Sequence, residues 1–167
     1  MKLSRTAGII LLIIANIAID QLSKFIVRAQ IAQNEVIELI GDTFIMTKVE
    51  NTGAFLGMGS DLSPALKWIL LLILPVIVLG GVVYYILSTK TLDRLSLIAF
   101  CCIVGGGIAN VFDRFVYGSV TDFFHIDLGG GFRTGIFNVA DMSVTFGMIL
   151  LVIASFKQKK LEKQQIA

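Results

Sequence analysis

Four apolar stretches, each close to twenty residues long, decide what this chain can fold into. They run approximately over Ala7–Val27, Leu66–Leu87, Leu95–Phe112 and Phe137–Phe156. A helix needs about 20 apolar residues to cross the hydrocarbon of a bilayer. The sequence therefore predicts an α-helical membrane protein with four transmembrane helices, folded as one domain over residues 1–167. Composition agrees: 56% of the residues are hydrophobic and 16% charged, against roughly a quarter charged in soluble domains. Cys101 and Cys102 are adjacent inside an apolar run, which offers neither a disulfide framework nor a zinc-binding spacing. Pro75 falls inside the second stretch, where a kink is expected and neighbouring helices can accommodate it.

The basic residues orient the spans. Lys2 and Arg5 precede the first, Lys90 and Arg94 separate the second from the third, and Lys157, Lys159, Lys160 and Lys163 follow the fourth. An even number of crossings puts all three groups on one side, which the positive-inside rule assigns to the cytoplasm. Reading the first stretch as a cleaved signal peptide, with a small-residue region at Ala15–Ala18, would leave three spans and break that pattern. The connecting segments at about 28–65 and 113–136 are then exoplasmic. Within the first, Val36–Ile40 and Thr43–Val49 are β-branched and aromatic, and Gly41-Asp42 between them predicts a hairpin. Thr121–Leu128 predicts a further short strand, closed by Gly129-Gly130-Gly131. A small exoplasmic β-sheet, or cradle, on the helix ends is expected.

Polar residues converge at one depth. Asp20 and Lys24 are four residues apart and share a face of the first helix. Asn110 and Asp113 end the third span, with Arg114 beside them, and Asn138 and Asp141 open the fourth with the same spacing. Each has a plainer reading: a surface ion pair for Asp20 and Lys24, a helix N-cap for Asn138, snorkelling for Arg114, a simple turn for Asn51 and the glycines up to Gly59. Gly105–Gly107 reads as a close helix contact. Placed together at the membrane edge, the ionisable groups read as functional, because each is expensive to hold there.

The chemistry narrows by elimination. His125 is the only histidine, neither HExxH nor GxSxG is present, and Ser23 and Lys24 diverge around a helix. Carboxylates remain in quantity. Two interacting aspartates do not both ionise easily, so one activates water while the other donates a proton, and no metal or other cofactor is called for. Depth alone pairs Asp113 with Asp141. A proton-coupled carrier or small channel is the alternative, but no internal repeat is visible and the acids lie toward one face.

Five blocks carry a resemblance: Asp20-Gln-Leu-Ser-Lys24, Asn51-Thr-Gly-Ala-Phe55, Gly106-Gly-Ile-Ala-Asn-Val-Phe-Asp-Arg114, Val120-Thr-Asp-Phe123 and Phe137-Asn-Val-Ala-Asp141. In this order they resemble bacterial lipoprotein signal peptidase, or signal peptidase II. The resemblance implies an aspartyl endopeptidase of the bacterial cytoplasmic (inner) membrane, with both termini cytoplasmic and the active site toward the exoplasm. It implies cleavage of diacylglyceryl-modified prolipoproteins just before the lipidated cysteine. The implied catalytic pair is Asp122 and Asp141, with Asp20, Lys24, Asn51, Asn110, Asp113, Arg114 and Asn138 lining or supporting the pocket. Asp113, beside Arg114, becomes an ion-pair and positioning group. The implied partners are lipid-modified precursors, membrane lipid and globomycin-type cyclic peptides; no nucleic-acid partner is implied. The block at Asn51 has one alanine before Phe55 where many members have two. For Asp122 to act, Thr121–Phe124 must fold back over the mouth of the helix cluster.

Overall fold

The computed structural model describes residues 4–54 and 57–166. Lys2, at the basic start, and Phe55, the last residue of the Asn51 block, lie outside the described residues. The elements follow in the order α1 (Arg5–Gln30), β1 (Val36–Ile40), β2 (Phe44–Asn51), α2 (Pro64–Ser88), α3 (Arg94–Tyr117), β3 (Val120–Ile126) and α4 (Val139–Ile166). All four helices are long and apolar enough to cross a membrane. Their outward faces carry exposed Leu, Ile, Val and Phe, as expected where the surrounding medium is itself apolar.

The helices are longer than the apolar stretches. α3 runs through Asp113 and Arg114 to Tyr117 and stops at Gly118, whose φ of 74° takes the left-handed conformation that glycine adopts freely. α4 continues helically past Phe156 through the basic tail. In α2, Ile69–Ile73 form a π-helical turn directly before Leu74 and Pro75. Proline has no N–H to return to the preceding turn. The wider turn is where α2 absorbs that defect.

α3 sits at the centre, and Gly105–Gly107 explain how. Successive helical residues point about 100° apart, so three adjacent glycines open three directions. A Cβ on Gly105 would collide with Asn16 of α1, one on Gly106 with the carbonyl of Ala140 in α4, and one on Gly107 with Leu79 of α2. Backbones approach closely only where such side chains are missing. Across the α1–α4 contact, the Ser143 hydroxyl bonds Asn16 Oδ1 and the Cys102 carbonyl of α3.

The sheet is antiparallel in the order β1-β2-β3. It caps one end of the bundle through Phe123, which is buried with Val27 of α1 and Ile31 directly after that helix. The third strand begins at Val120 rather than Thr121 and ends at Ile126. Its free edge is bound by Phe137, whose carbonyl accepts from the N–H groups of Phe123 and Phe124 at 3.0 and 2.8 Å.

Gly106→Ala should push α4 away at Ala140 and destabilise the protein by about 1–3 kcal/mol. Gly80→Ala, which meets nothing within 4 Å, should be neutral or stabilising. Thermal unfolding in detergent, comparing the two variants, checks this pair.

Candidate functional site

α1 brings Asp20 and Lys24 to the bundle interior, both fully buried. The Lys24 ammonium lies 2.8 Å from Asp20 Oδ2 and 2.9 Å from Asp113 Oδ2, and donates to Asn110 Oδ1 at 2.9 Å. Its three N–H donors thus meet three acceptors, the condition under which a buried cation is tolerated. The surface ion pair open to sequence reading is instead an interior hub. Asp20 also reaches a second helix, since its Oδ1 accepts from the backbone N–H of Ala140, in the first turn of α4, at 2.8 Å.

Asp113 differs from the sequence expectation in its partners. Its carboxylate faces Lys24 and, at 3.0 Å, Arg28, and it accepts from Gln21 at 2.9 Å. Arg114 follows next on the helix and so points about 100° away. Its guanidinium donates to the carbonyls of Gly53 at 2.8 Å and Asn110 at 3.3 Å. It ties the Asn51 loop to α3.

Asn138 is the N-cap that sequence allowed, and more. Its Oδ1 accepts from the Asp141 N–H at 2.9 Å, while Asp141 Oδ2 accepts from the Asn138 N–H at 3.1 Å. This reciprocal pair is a capping box built from Asn and Asp. The Asn138 amide nitrogen remains free to donate, to Asp122 Oδ1 at 2.6 Å and to Asn110 Oδ1 at 3.2 Å. Asn110 in turn donates to Asp141 Oδ1 at 2.9 Å. Lysine only donates, so Asn110 must face it with oxygen and turn its nitrogen to Asp141. The cap and the lysine together set every amide in this corner.

Asp122 enters from the strand. Side chains alternate along β3, so Thr121 and Phe123 face α1 while Asp122 takes the other side. There Asn51 donates to its Oδ2 at 2.9 Å. The Asn51 oxygen accepts from the Gly53 N–H at 2.9 Å, so the turn reading and a site role both hold for this residue. Depth alone pairs Asp113 with Asp141. In the structure Asp113 is engaged by cations, and Asp122 and Asp141 share Asn138.

Burial pushes the Asp122 carboxyl up from 3.8 to about 6; the amides of Asn51 and Asn138 oppose the rise and the Asp141 carboxylate adds to it. A cavity of about 290 Å³ opens beside Asp122 and includes Asn51, Thr52 and Gly135. Asp141 borders two others. One of about 740 Å³ lies among α2, α3 and α4, with Asn110 and Arg114 at its polar end and Leu71, Leu74, Val78 and Met148 in its wall. The other, about 410 Å³, is lined by Phe137, Met142 and Phe146. The carboxylates thus stand where a polar cleft meets apolar space.

Arg28, Glu50 and Thr121 are not singled out by sequence reading. Arg28 donates to the Thr121 hydroxyl at 2.8 Å, that hydroxyl donates to Glu50 at 3.0 Å, and Arg28 also stacks 4.0 Å over Tyr117. The position of Arg28 one turn beyond Lys24 on the same face is the signal that could have found it.

Known proteins resemble this chain over nearly its whole length. A family model described as signal peptidase (SPase) II matches residues 12–157. The lipoprotein signal peptidases of Streptococcus pyogenes serotypes M2 and M5 are each 35% identical over 150 residues, covering 90% of this chain and 93% of the relative. A bacterial membrane enzyme solved by the in meso method at 2.3 Å resolution superposes with a TM-score of 0.81 at 28% identity, covering 95% of this chain and 93% of that one. Another, at 1.9 Å resolution, gives 0.79 at 27% identity, with 93% and 97% covered.

Stability should depend on pH through Asp122. Unfolded, this group ionises near 3.8; folded, near 6. The folded chain therefore binds the extra proton between these values, and the stability it contributes below about pH 4 is lost as pH rises through about 6. Asp122→Asn should remove that loss. Thermal unfolding in detergent from about pH 4 to 7 should show a smaller decline for the variant; equal slopes would contradict the assignment.

Proposed function

Because the chain belongs to the signal peptidase II family and is thus a membrane protease of lipoprotein precursors, we propose that it is an aspartic endopeptidase working through Asp122 and Asp141. The observation that carries this reading is the single amide of Asn138, which holds Asp122 by a hydrogen bond while its oxygen caps the turn that presents Asp141. Two carboxylates joined through one donor form a coupled pair, and one of them keeps a proton more easily than both ionise. In this reading Asp122 holds the proton and gives it to the scissile carbonyl oxygen. Asp141 takes a proton from water, which attacks the carbonyl carbon. The tetrahedral adduct collapses as Asp141 passes the proton it took from water to the leaving nitrogen and a hydroxyl proton of the adduct returns to Asp122, so the C–N bond breaks and the dyad is restored.

The substrate is a diacylglyceryl-modified prolipoprotein cut just before its lipidated cysteine. The cavity among α2, α3 and α4 supports lateral entry from the outer leaflet, since its wall is apolar and its polar end reaches Asp141. Asn51 and Arg114 bind or support the loop over the cleft, Asn110 and Asn138 orient the acids, and Asp20, Lys24 and Asp113 hold the helices that carry them. Globomycin-type cyclic peptides would compete for the same cleft. The protein works as one domain in the bacterial cytoplasmic membrane, with both termini in the cytoplasm and the site at the exoplasmic side. The basic residues Lys90, Arg94, Lys157, Lys159 and Lys160 favour that orientation.

Asp122→Asn and Asp141→Asn should each lower cleavage of a lipidated precursor in detergent by roughly three orders of magnitude or more, with wild-type expression and folding. Full activity in either variant would refute the assignment, and so would cleavage that fails to occur with the wild-type protein.

A further inference from the structure

Asp122 stands on a strand rather than on a membrane helix, and its placement needs a separate cause. The β2–β3 ladder does not supply it alone. Its register shifts between Met46 and Val49, directly beside the Val49–Asp122 pair. An irregularity of this kind bends the strand and loosens the link between ladder and side-chain direction. The Phe123 contact with Val27 and Ile31 holds the strand against α1, but apolar attraction has no direction. Sliding along α1 would cost little from that contact.

Thr121 provides the direction. Its hydroxyl is held from both sides by charged partners, accepting from Arg28 Nε at 2.8 Å and donating to Glu50 at 3.0 Å. Hydrogen bonds to ionised groups are shorter and stronger than neutral ones. Glu50 is itself fixed, accepting from Ser119 at 2.7 Å, and Arg28 pairs with Asp113 at 3.0 Å. The chain of contacts then runs from Asp113 through Lys24 and Asp20 to the Ala140 N–H beside Asp141. One polar path connects the supports of both aspartates.

We propose that Thr121, clamped between Arg28 and Glu50, is a positioning residue that sets the height and angle of Asp122 against Asp141. This rests on the aspartic-protease reading above. Thr121 acts through the backbone of the next residue, not by touching water or substrate. Removal of the hydroxyl leaves the strand paired, Phe123 packed and the Asp122 carboxylate bonded to Asn51 and Asn138, but loosens the backbone that carries Asp122 and shifts it against Asp141. Misplacement of a reacting group by about 1 Å can cost about a hundredfold in rate. Substrate affinity, which depends on the cavities lined by other residues, should change little.

The test uses the full-length protein in detergent with a lipidated precursor. Thr121→Val, nearly isosteric, should lower kcat by about 10- to 100-fold with KM within about threefold of wild type. Thr121→Ser, which keeps the hydroxyl, should restore most of kcat. Arg28→Gln should show the same kcat-directed loss and carries the test if Thr121→Val folds poorly. The Arg28→Gln/Thr121→Val double variant should lose less than the two single losses combined, because the Arg28–Thr121 bond is already gone in each single. Wild-type kcat in folded Thr121→Val, a loss confined to KM, equal impairment of Thr121→Ser, or additive losses in the double variant would each overturn the proposal. Those results leave the dyad reading intact, since Asp122→Asn and Asp141→Asn test it separately.

Discussion

A fully buried lysine ammonium, that of Lys24, constrains this fold more than any other group. An unpaired charge there would cost several kcal/mol. The fold answers with Asp20 from the same helix and Asp113 and Asn110 from α3. Asp20 then reaches the first turn of α4. Three helices are therefore fixed to one another at the level where the chemistry must occur. The glycines of α3 bring the backbones close enough for these short side chains to meet.

Rigidity at that level gives the candidate dyad its shape. Asp141 is not free to choose a rotamer, because both of its oxygens accept hydrogen bonds, from Asn110 and from the Asn138 backbone. Asp122 is held by two amides, Asn51 and Asn138. The same capping box that starts α4 orients one acid and supplies the donor for the other. Helix initiation and active-site preorganisation use one set of bonds. Buried polar networks work in this way only when nearly all members are satisfied.

Much of this is legible in the sequence, for identifiable reasons. Apolar length gives the four helices, and Gly41-Asp42 gives the hairpin, because those signals are local. Asp20 and Lys24 four residues apart, or Asn138 and Asp141 three apart, announce shared faces by helical geometry. Depth along the helices, in contrast, favours Asp113 as the partner of Asp141. Depth counts residues along an axis and is blind to a strand that folds back, which is how Asp122 arrives. Sequence places Asp113 beside Arg114 as an ion-pair group; adjacency in a helix points side chains apart, and its cations come from α1. Arg28, Glu50 and Thr121 are invisible for a related reason: their meeting depends on β2–β3 pairing over the end of α1. The helix boundaries also run past the apolar stretches, since hydrogen bonding continues where hydropathy stops.

If Asp122 and Asp141 titrate and react as a pair, the pH dependence of kcat/KM for a lipidated precursor must report it, because that ratio follows ionisations of the free enzyme. A bell-shaped profile with one limb near pH 6, where burial places the Asp122 carboxyl, is the predicted result. Activity that stays level from about pH 4 to 8, with no ionisation in that range, would contradict a shared-proton dyad.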